Sequence, residues 1–379
     1  VVSSPEEGFR SRRTDAPPST TPPHVPRRVA VTRAGTPLGS ALAQQLQAAG
    51  HEVVGLGPPL ESSEIPGEPT WREADLTSPG VVDALRDLET VVHLTHGADL
   101  SRELRESPAD RRSRLVREMQ TLTVASAAAG VGHLVVVTSA MVFGARPDNP
   151  VPLPDDSPLR SSDSEGMVAD LVEVEDLLDR ARGVHPTVLV TSVRPAALVG
   201  PGVDSIITRH FEAPRLLALK GAEPSWQFCH IEDLGSALVT VLRDRLGPVV
   251  TVGAPGSLSL EQVEEISGLR HIAVAPAAAH AAADRLHRLG VLPLPASDLA
   301  YVSHPWVVDS GRLATHGWSA ARDNVESLRI LLELARDHGA RHTRRLERKD
   351  AALGAAGAAS AAVAVVATAA LLRRRRKRP

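Results

Sequence analysis

From Arg28 onward the chain alternates short β-branched apolar runs with longer amphipathic stretches. The runs are "RVAVT" (28–32), "HEVVGL" (51–56), "TVVHLT" (90–95), "HLVVVTS" (133–139) and "TVLVTSVR" (187–194). Between them, "GSALAQQLQAAG" (39–50), "VVDALRDL" (81–88) and "RSRLVREMQTLTVASAAAG" (112–130) place apolar residues at helical spacing. A nearly continuous apolar strand must be buried on both faces, and parallel neighbours need helical crossovers between them. The pattern therefore predicts an α/β fold: a doubly wound parallel sheet of right-handed βαβ units over residues 28–200. After about Pro201 it loosens into shorter helices such as "IEDLGSALVTVLRDRLG" (231–247) and "DNVESLRILLELARDHG" (323–339), a smaller and partly helical region over 201–340, interleaved with the core.

The two ends differ from this body. Residues 1–27 are rich in Pro, Ser and Thr and poor in apolar side chains, so they read as a disordered leader without the apolar core of a secretory signal. A basic linker, 341–350, leads to "AALGAAGAASAAVAVVATAALL" (351–372), 22 uncharged residues followed by "RRRRKRP". That length spans a bilayer, and 351–379 is a candidate anchor holding a cytoplasmic domain at a membrane; a soluble Ala-rich helix is the alternative. Both flanks are basic, so charge does not choose a topology.

Composition narrows the chemistry. A formal net charge of −3 gives no reason to expect a nucleic-acid partner. The single cysteine, Cys229, excludes an internal disulfide and any Cys-rich metal site, and no histidines and acids share metal-ligand spacing, so no metal is expected. There is one tyrosine, Tyr301, and three lysines, Lys220, Lys349 and Lys377. Chemistry that needs either residue has few candidates.

The stretch Val29–Gly57 has the order strand, turn, helix, strand of a dinucleotide-binding unit, and further motifs follow it. They are "ADL" (74–76), "VVHLT" (91–95), "VVVTSAMVFG" (135–144), "VRPAALVGPG" (193–202) and "FCHIEDLGSAL" (228–238). Over roughly 28–335 this series resembles the extended short-chain dehydrogenase/reductase superfamily, the NAD-dependent epimerase/dehydratase group. The resemblance implies a Rossmann-like sheet, a substrate-side C-terminal region, NAD or NADP as cofactor, a nucleotide-like ligand and, frequently, a homodimer.

Carried over residue by residue, it assigns Arg33, Gly35, Thr36, Leu38 and Gly39 to the phosphate turn, with Arg33 and Thr36 standing where the first two glycines belong. Asp75 and Leu76 match the pair that meets the adenine, Thr95 ends a strand beside the cofactor, and Arg194 and Pro195 match the pair near the nicotinamide. Thr138 and Ser139 match the hydroxyl residues of the catalytic group. His230 and Asp233 match a segment that is mainly architectural. The acidic residue that normally holds the adenosine ribose is replaced by Gly57.

The family's acid/base pair is a tyrosine followed four residues later by a lysine, on one helix face. Here those positions are Met167 and Leu171 on "EGMVADLVEVEDLLDRARG", and neither side chain can donate a proton at physiological pH. None of the three lysines lies four residues after Tyr301, so the relay is absent from the whole chain, whatever the alignment. Three readings remain: a degenerate family member that still binds NAD(P) or a nucleotide-like ligand as sensor, regulator or scaffold; an active enzyme using Ser139 with an acid such as Asp170 or Glu173; or an inert interaction module.

Overall fold

A computed structural model describes residues 27–58, 70–161, 165–289, 292 and 294–349. The leader (1–26) and the Ala-rich segment with its basic tail (351–379) lie outside the described residues.

The strands are β1 (Arg28–Thr32), β2 (Glu52–Gly57), β3 (Thr70–Glu73), β4 (Thr90–Leu94), β5 (His133–Val137), β6 (Leu189–Pro195), β7 (Ala197–Val199), β8 (Leu216–Leu219), β9 (Phe228–His230), β10 (Val249–Val252) and β11 (His271–Val274). The helices are α1 (Pro37–Ala48), α2 (Val81–Ala84), α3 (Leu100–Glu103), α4 (Pro108–Ala129), α5 (Met167–Val184), α6 (Ile206–Glu212), α7 (Ile231–Asp244), α8 (Leu260–Ser267), α9 (Pro276–Arg288), α10 (Gly311–Thr315) and α11 (Asn324–Lys349). Seven strands form one parallel sheet in the order β10-β6-β5-β4-β1-β2-β3. The order reverses between β1 and β4, which pair in register with Val29 opposite Thr90 and Val31 opposite Val92. This is the doubly wound, Rossmann-like sheet expected from the sequence.

Alternation along the strands decides which helix each residue meets. Val29 and Val31 of β1, with Val135 and Val137 of β5, pack on one face with Leu38, Leu42 and Leu46 of α1 and Leu234, Leu238 and Val241 of α7. Ala30, Leu134 and Val136 point to the other face, onto Leu115, Met119 and Leu122 of α4 and Val174 and Leu178 of α5. Each fully buried leucine contributes about 1.5–3 kcal/mol relative to exposure. The helices start where their caps dictate: Thr36 before Pro37 for α1, and Ser107 before Pro108 for α4, which ends at Gly130 in the left-handed conformation.

Two strands of the sheet were not among the apolar runs. β3, "TWRE", is an edge strand with no fully buried residue, so it lacks the burial signature. β10 comes from beyond residue 201, so the C-terminal half supplies the sheet's other edge. That half otherwise forms two small two-stranded sheets, β11-β8 and β7-β9, and a third core around Leu217, Leu219, Ala279 and Leu299. The basic stretch read as a linker continues α11 as far as Lys349.

Candidate functional site

Ligands of doubly wound sheets bind outside the carboxyl ends of the strands, where the strand order reverses. Here the ends of β1 and β4 define that crevice. The turn after β1 begins with Arg33 at φ +52°, a left-handed conformation that glycine adopts freely and that costs an L residue with a Cβ about 1–2 kcal/mol. Its guanidinium donates through Nη1 to the Leu94 carbonyl and through Nη2 to Glu118 Oε2 at 2.7 Å.

Gly35 is exposed at the tip of the turn. Thr36 caps α1: its hydroxyl donates to Arg33 O at 2.9 Å and accepts the Gly39 N–H at 3.1 Å, while its carbonyl accepts the Ser40 N–H at 2.8 Å. Pro37 has no N–H, so Leu38 N–H is the first-turn donor left for an anion. The Leu38 side chain is core, 1 % exposed. Gly39 performs the close packing expected of the third glycine, since a Cβ there would stand 2.1 Å from Arg33 O.

Asp75 is exposed, and its Oδ1 accepts both the backbone N–H and the hydroxyl of Thr77, at 2.9 and 2.7 Å. Those two bonds, hydroxyl first, hold its carboxyl below the usual range and leave the second oxygen for a ligand. Leu76 beside it is buried. Gly57 ends β2 with no side chain to offer a ribose.

At the opposite end of the crevice, Ser139, Met141, Met167, Pro195, Ile206 and Trp306 line a mostly apolar cavity of about 80 Å³. Drug-sized ligands occupy roughly 300–1,000 Å³. Ser139 Oγ accepts the Met141 N–H at 3.2 Å, capping a short 3₁₀ turn, Ala140–Phe143. Met167 opens α5 on the wall of this cavity, and Leu171, one turn on, is 4 % exposed. The sole tyrosine, Tyr301, returns to this corner and donates to Met141 O at 3.0 Å, far from any lysine in sequence. His96, also on the cavity wall, is held neutral by burial.

Several residues assigned to the cofactor point their polar atoms into the protein. Thr95 donates to Val137 O at 2.9 Å. Thr138 donates to Glu175 Oε1 at 2.6 Å, and Arg194 holds both Glu175 oxygens, at 3.0 and 2.7 Å. Burial alone raises the Glu175 carboxyl, but Arg194 and the Ser192 and Thr138 hydroxyls more than offset this and hold it below the ordinary value. The two acids considered as substitute bases are also engaged. Asp170, pushed up by burial against the opposing pull of Arg111, accepts from Arg111 Nε at 2.8 Å, and Glu173 pairs with Arg112.

Glu175, Glu118 and Arg114 were missed by motif reasoning, although Glu118 stands beside Met119 on the apolar stripe of α4. A charge on such a stripe is the signal that would have found it. His230 caps α7 through Nδ1, accepting the Glu232 N–H at 3.3 Å, and Asp233 accepts the Ala321 N–H at 2.8 Å, both architectural contacts. Among the described residues, no group of three His, Cys, Asp or Glu side chains is arranged to hold a metal, and no helix is long and apolar enough to cross a membrane.

Fold and crevice together define a doubly wound nucleotide-type α/β protein. The model of the NAD dependent epimerase/dehydratase family matches residues 32–253, and the chain belongs to that family. A Mycobacterium tuberculosis protein, "Uncharacterized protein Rv0501", is 26% identical over 301 residues, covering 77% of this chain and 79% of the relative. Among solved structures, gox2253 superposes with a TM-score of 0.64 at 20% identity, covering 83% of this chain and 99% of that one. TunA, an NAD dependent-NDP-hexosamine 5,6-dehydratase, gives 0.61 at 23%, covering 82% and 98%. Bordetella bronchiseptica WbmG in complex with NAD gives 0.59 at 20%, covering 84% and 97%.

Proposed function

We propose that the protein binds NAD(P) or a nucleotide-like ligand without running the family's proton relay, and acts as a sensor, regulator or scaffold. The observation that carries this is a preserved strand-turn-helix beside a cavity walled by Met167 where a tyrosine would be needed. The residues fit a dinucleotide at its adenine end, where Asp75 is exposed with one carboxylate oxygen unused beside the buried Leu76. They fit its phosphates through Leu38 N–H and the amino terminus of α1, provided Arg33 yields space. Bound there, the cofactor would supply hydride chemistry to the family's reactions.

The residues at the family's acid/base positions, and the acids weighed as substitutes for them, do not fit acid/base work on a substrate. Met167 and Leu171 have no titratable proton, Asp170 and Glu173 are paired with Arg111 and Arg112, and Ser139 Oγ accepts the Met141 N–H. The active-enzyme alternative has correspondingly less support.

Titration of the full chain with NADH and NADPH, followed by cofactor fluorescence and by the melting temperature, tests the binding half. Micromolar binding with a rise in Tm supports it, since a ligand of the native state stabilises by mass action. No binding at millimolar cofactor overturns it. Turnover of a nucleotide sugar by the purified protein would overturn the silent half.

A further inference from the structure

The crevice at the strand reversal is bridged from inside the protein. Arg33 is the first residue after β1, yet it donates to the carbonyl of Leu94, the last residue of β4, and to Glu118 on α4. The guanidinium thus spans the gap between the two strands at which the sheet changes direction. Its side chain is 17% exposed and that of Glu118 7%, so the bridge lies below the surface.

Its surroundings hold it there. Glu118 Oε1 meets Arg114 Nη1 at 3.4 Å, and Arg114 also reaches Glu106 at 2.7 Å and Glu103 at 3.2 Å. His93 Nε2 lies 3.9 Å from Glu118 Oε2, and burial first, then Arg33 and Arg114, keep this imidazole uncharged. Three carboxylates, Glu118, Glu103 and Glu106, therefore face two guanidinia, a net charge of −1 around the bridge. The turn gives Arg33 no backbone reason to be there, because at φ +52° glycine would be easier. What the arginine adds is the bridge itself.

We propose that the Arg33–Glu118 ion pair is an internal plug of the crevice, and that Arg33 sets dinucleotide affinity by competing for the ligand's place. Entry of the dinucleotide requires the guanidinium to leave Glu118. This rests on the proposed reading of the crevice as a dinucleotide site.

The test compares NADH binding by the full-length wild type, Arg33→Gly and Glu118→Gln. Arg33→Gly empties the bridge and suits the left-handed turn, and Glu118→Gln keeps shape while removing the ionic hold. Unchanged circular dichroism and a cooperative melt establish that each variant is folded, and Arg33→Lys, which lacks the fork, serves if glycine is not tolerated. The plug requires at least a tenfold gain in affinity for Arg33→Gly and a several-fold gain for Glu118→Gln. Gains in the variants with no detectable wild-type binding support the plug and the crevice as a dinucleotide site, and overturn cofactor binding by the native protein, whose site is then closed. Wild-type binding that Arg33→Gly leaves unchanged or weakens overturns the plug and leaves the dinucleotide reading standing. Absence of binding in all the proteins at millimolar NADH overturns both.

Discussion

Arg194 on β6 and Glu175 on α5 form a two-point ion pair, with Nη2 to Oε2 at 2.7 Å and side chains 6% and 1% exposed. The Thr138 and Ser192 hydroxyls both donate to the same Oε1 at 2.6 Å, and Arg194 lies 4.9 Å from the Phe143 ring centroid. A fully satisfied cluster of this kind ties the end of β5 to β6 and α5, beneath the cavity that Ser139 and Met167 line.

Removing one partner strands the other charge. Glu175→Ala is therefore expected to cost about 3–5 kcal/mol, read from urea unfolding, whereas replacing both members with apolar residues of similar volume, Glu175→Leu with Arg194→Met, costs much less. Equal losses in the single and double variants would mean that the pair does not act as a unit.

The turn after β1 tolerates no side chain at its last glycine. Gly39→Ala places a methyl group 2.1 Å from Arg33 O, against backbone that cannot step aside, and the protein is expected to lose several kcal/mol or fail to fold. Gly183 in α5 has nothing within 4 Å of an added Cβ, so Gly183→Ala is expected to stabilise by about 0.5–1 kcal/mol. Paired thermal melts check both, and a destabilised Gly183→Ala would be the contrary result.

His133 makes stability depend on pH. Its Nε2 is 2.9 Å from Thr191 Oγ1, and burial, aided by Arg245 and Arg27, pushes its imidazole down to about 3. In the unfolded chain it titrates near 6.5, so above that pH both states are neutral and nothing is lost. As pH falls below 6.5 only the unfolded chain takes up the proton, and stability drops until about pH 3. Between pH 6.5 and 5 the loss from this group is about 2 kcal/mol. Denaturant titrations at both values measure it, and His133→Gln should flatten the slope by that amount.

Cys229 is 2% exposed, and burial together with the charge of Asp233 raises its thiol well above the ordinary value. Because the thiolate is the reactive form, the native protein is expected to resist Ellman's reagent at pH 8 and to release one equivalent of colour after denaturation. Rapid reaction of the native protein would show that α7 and β9 open readily.

The sequence by itself determined the architecture. The β-branched runs and intervening amphipathic helices demand a parallel sheet covered on both faces, because apolar strands and apolar helix stripes have no other way to leave water. The absent Tyr-x-x-x-Lys relay was equally plain, since it rests on a count of residues. Tertiary structure alone decided what the remaining polar residues do. Arg33, Thr95, Thr138 and Arg194 all carry the right chemistry for a ligand, but each finds a partner inside the fold: the Leu94 carbonyl with Glu118, Val137 O, and Glu175 for the last two. Those partners lie from 19 to 85 residues away along the chain. A buried donor takes whichever acceptor the packing brings within about 3 Å, and no local pattern encodes which one that is.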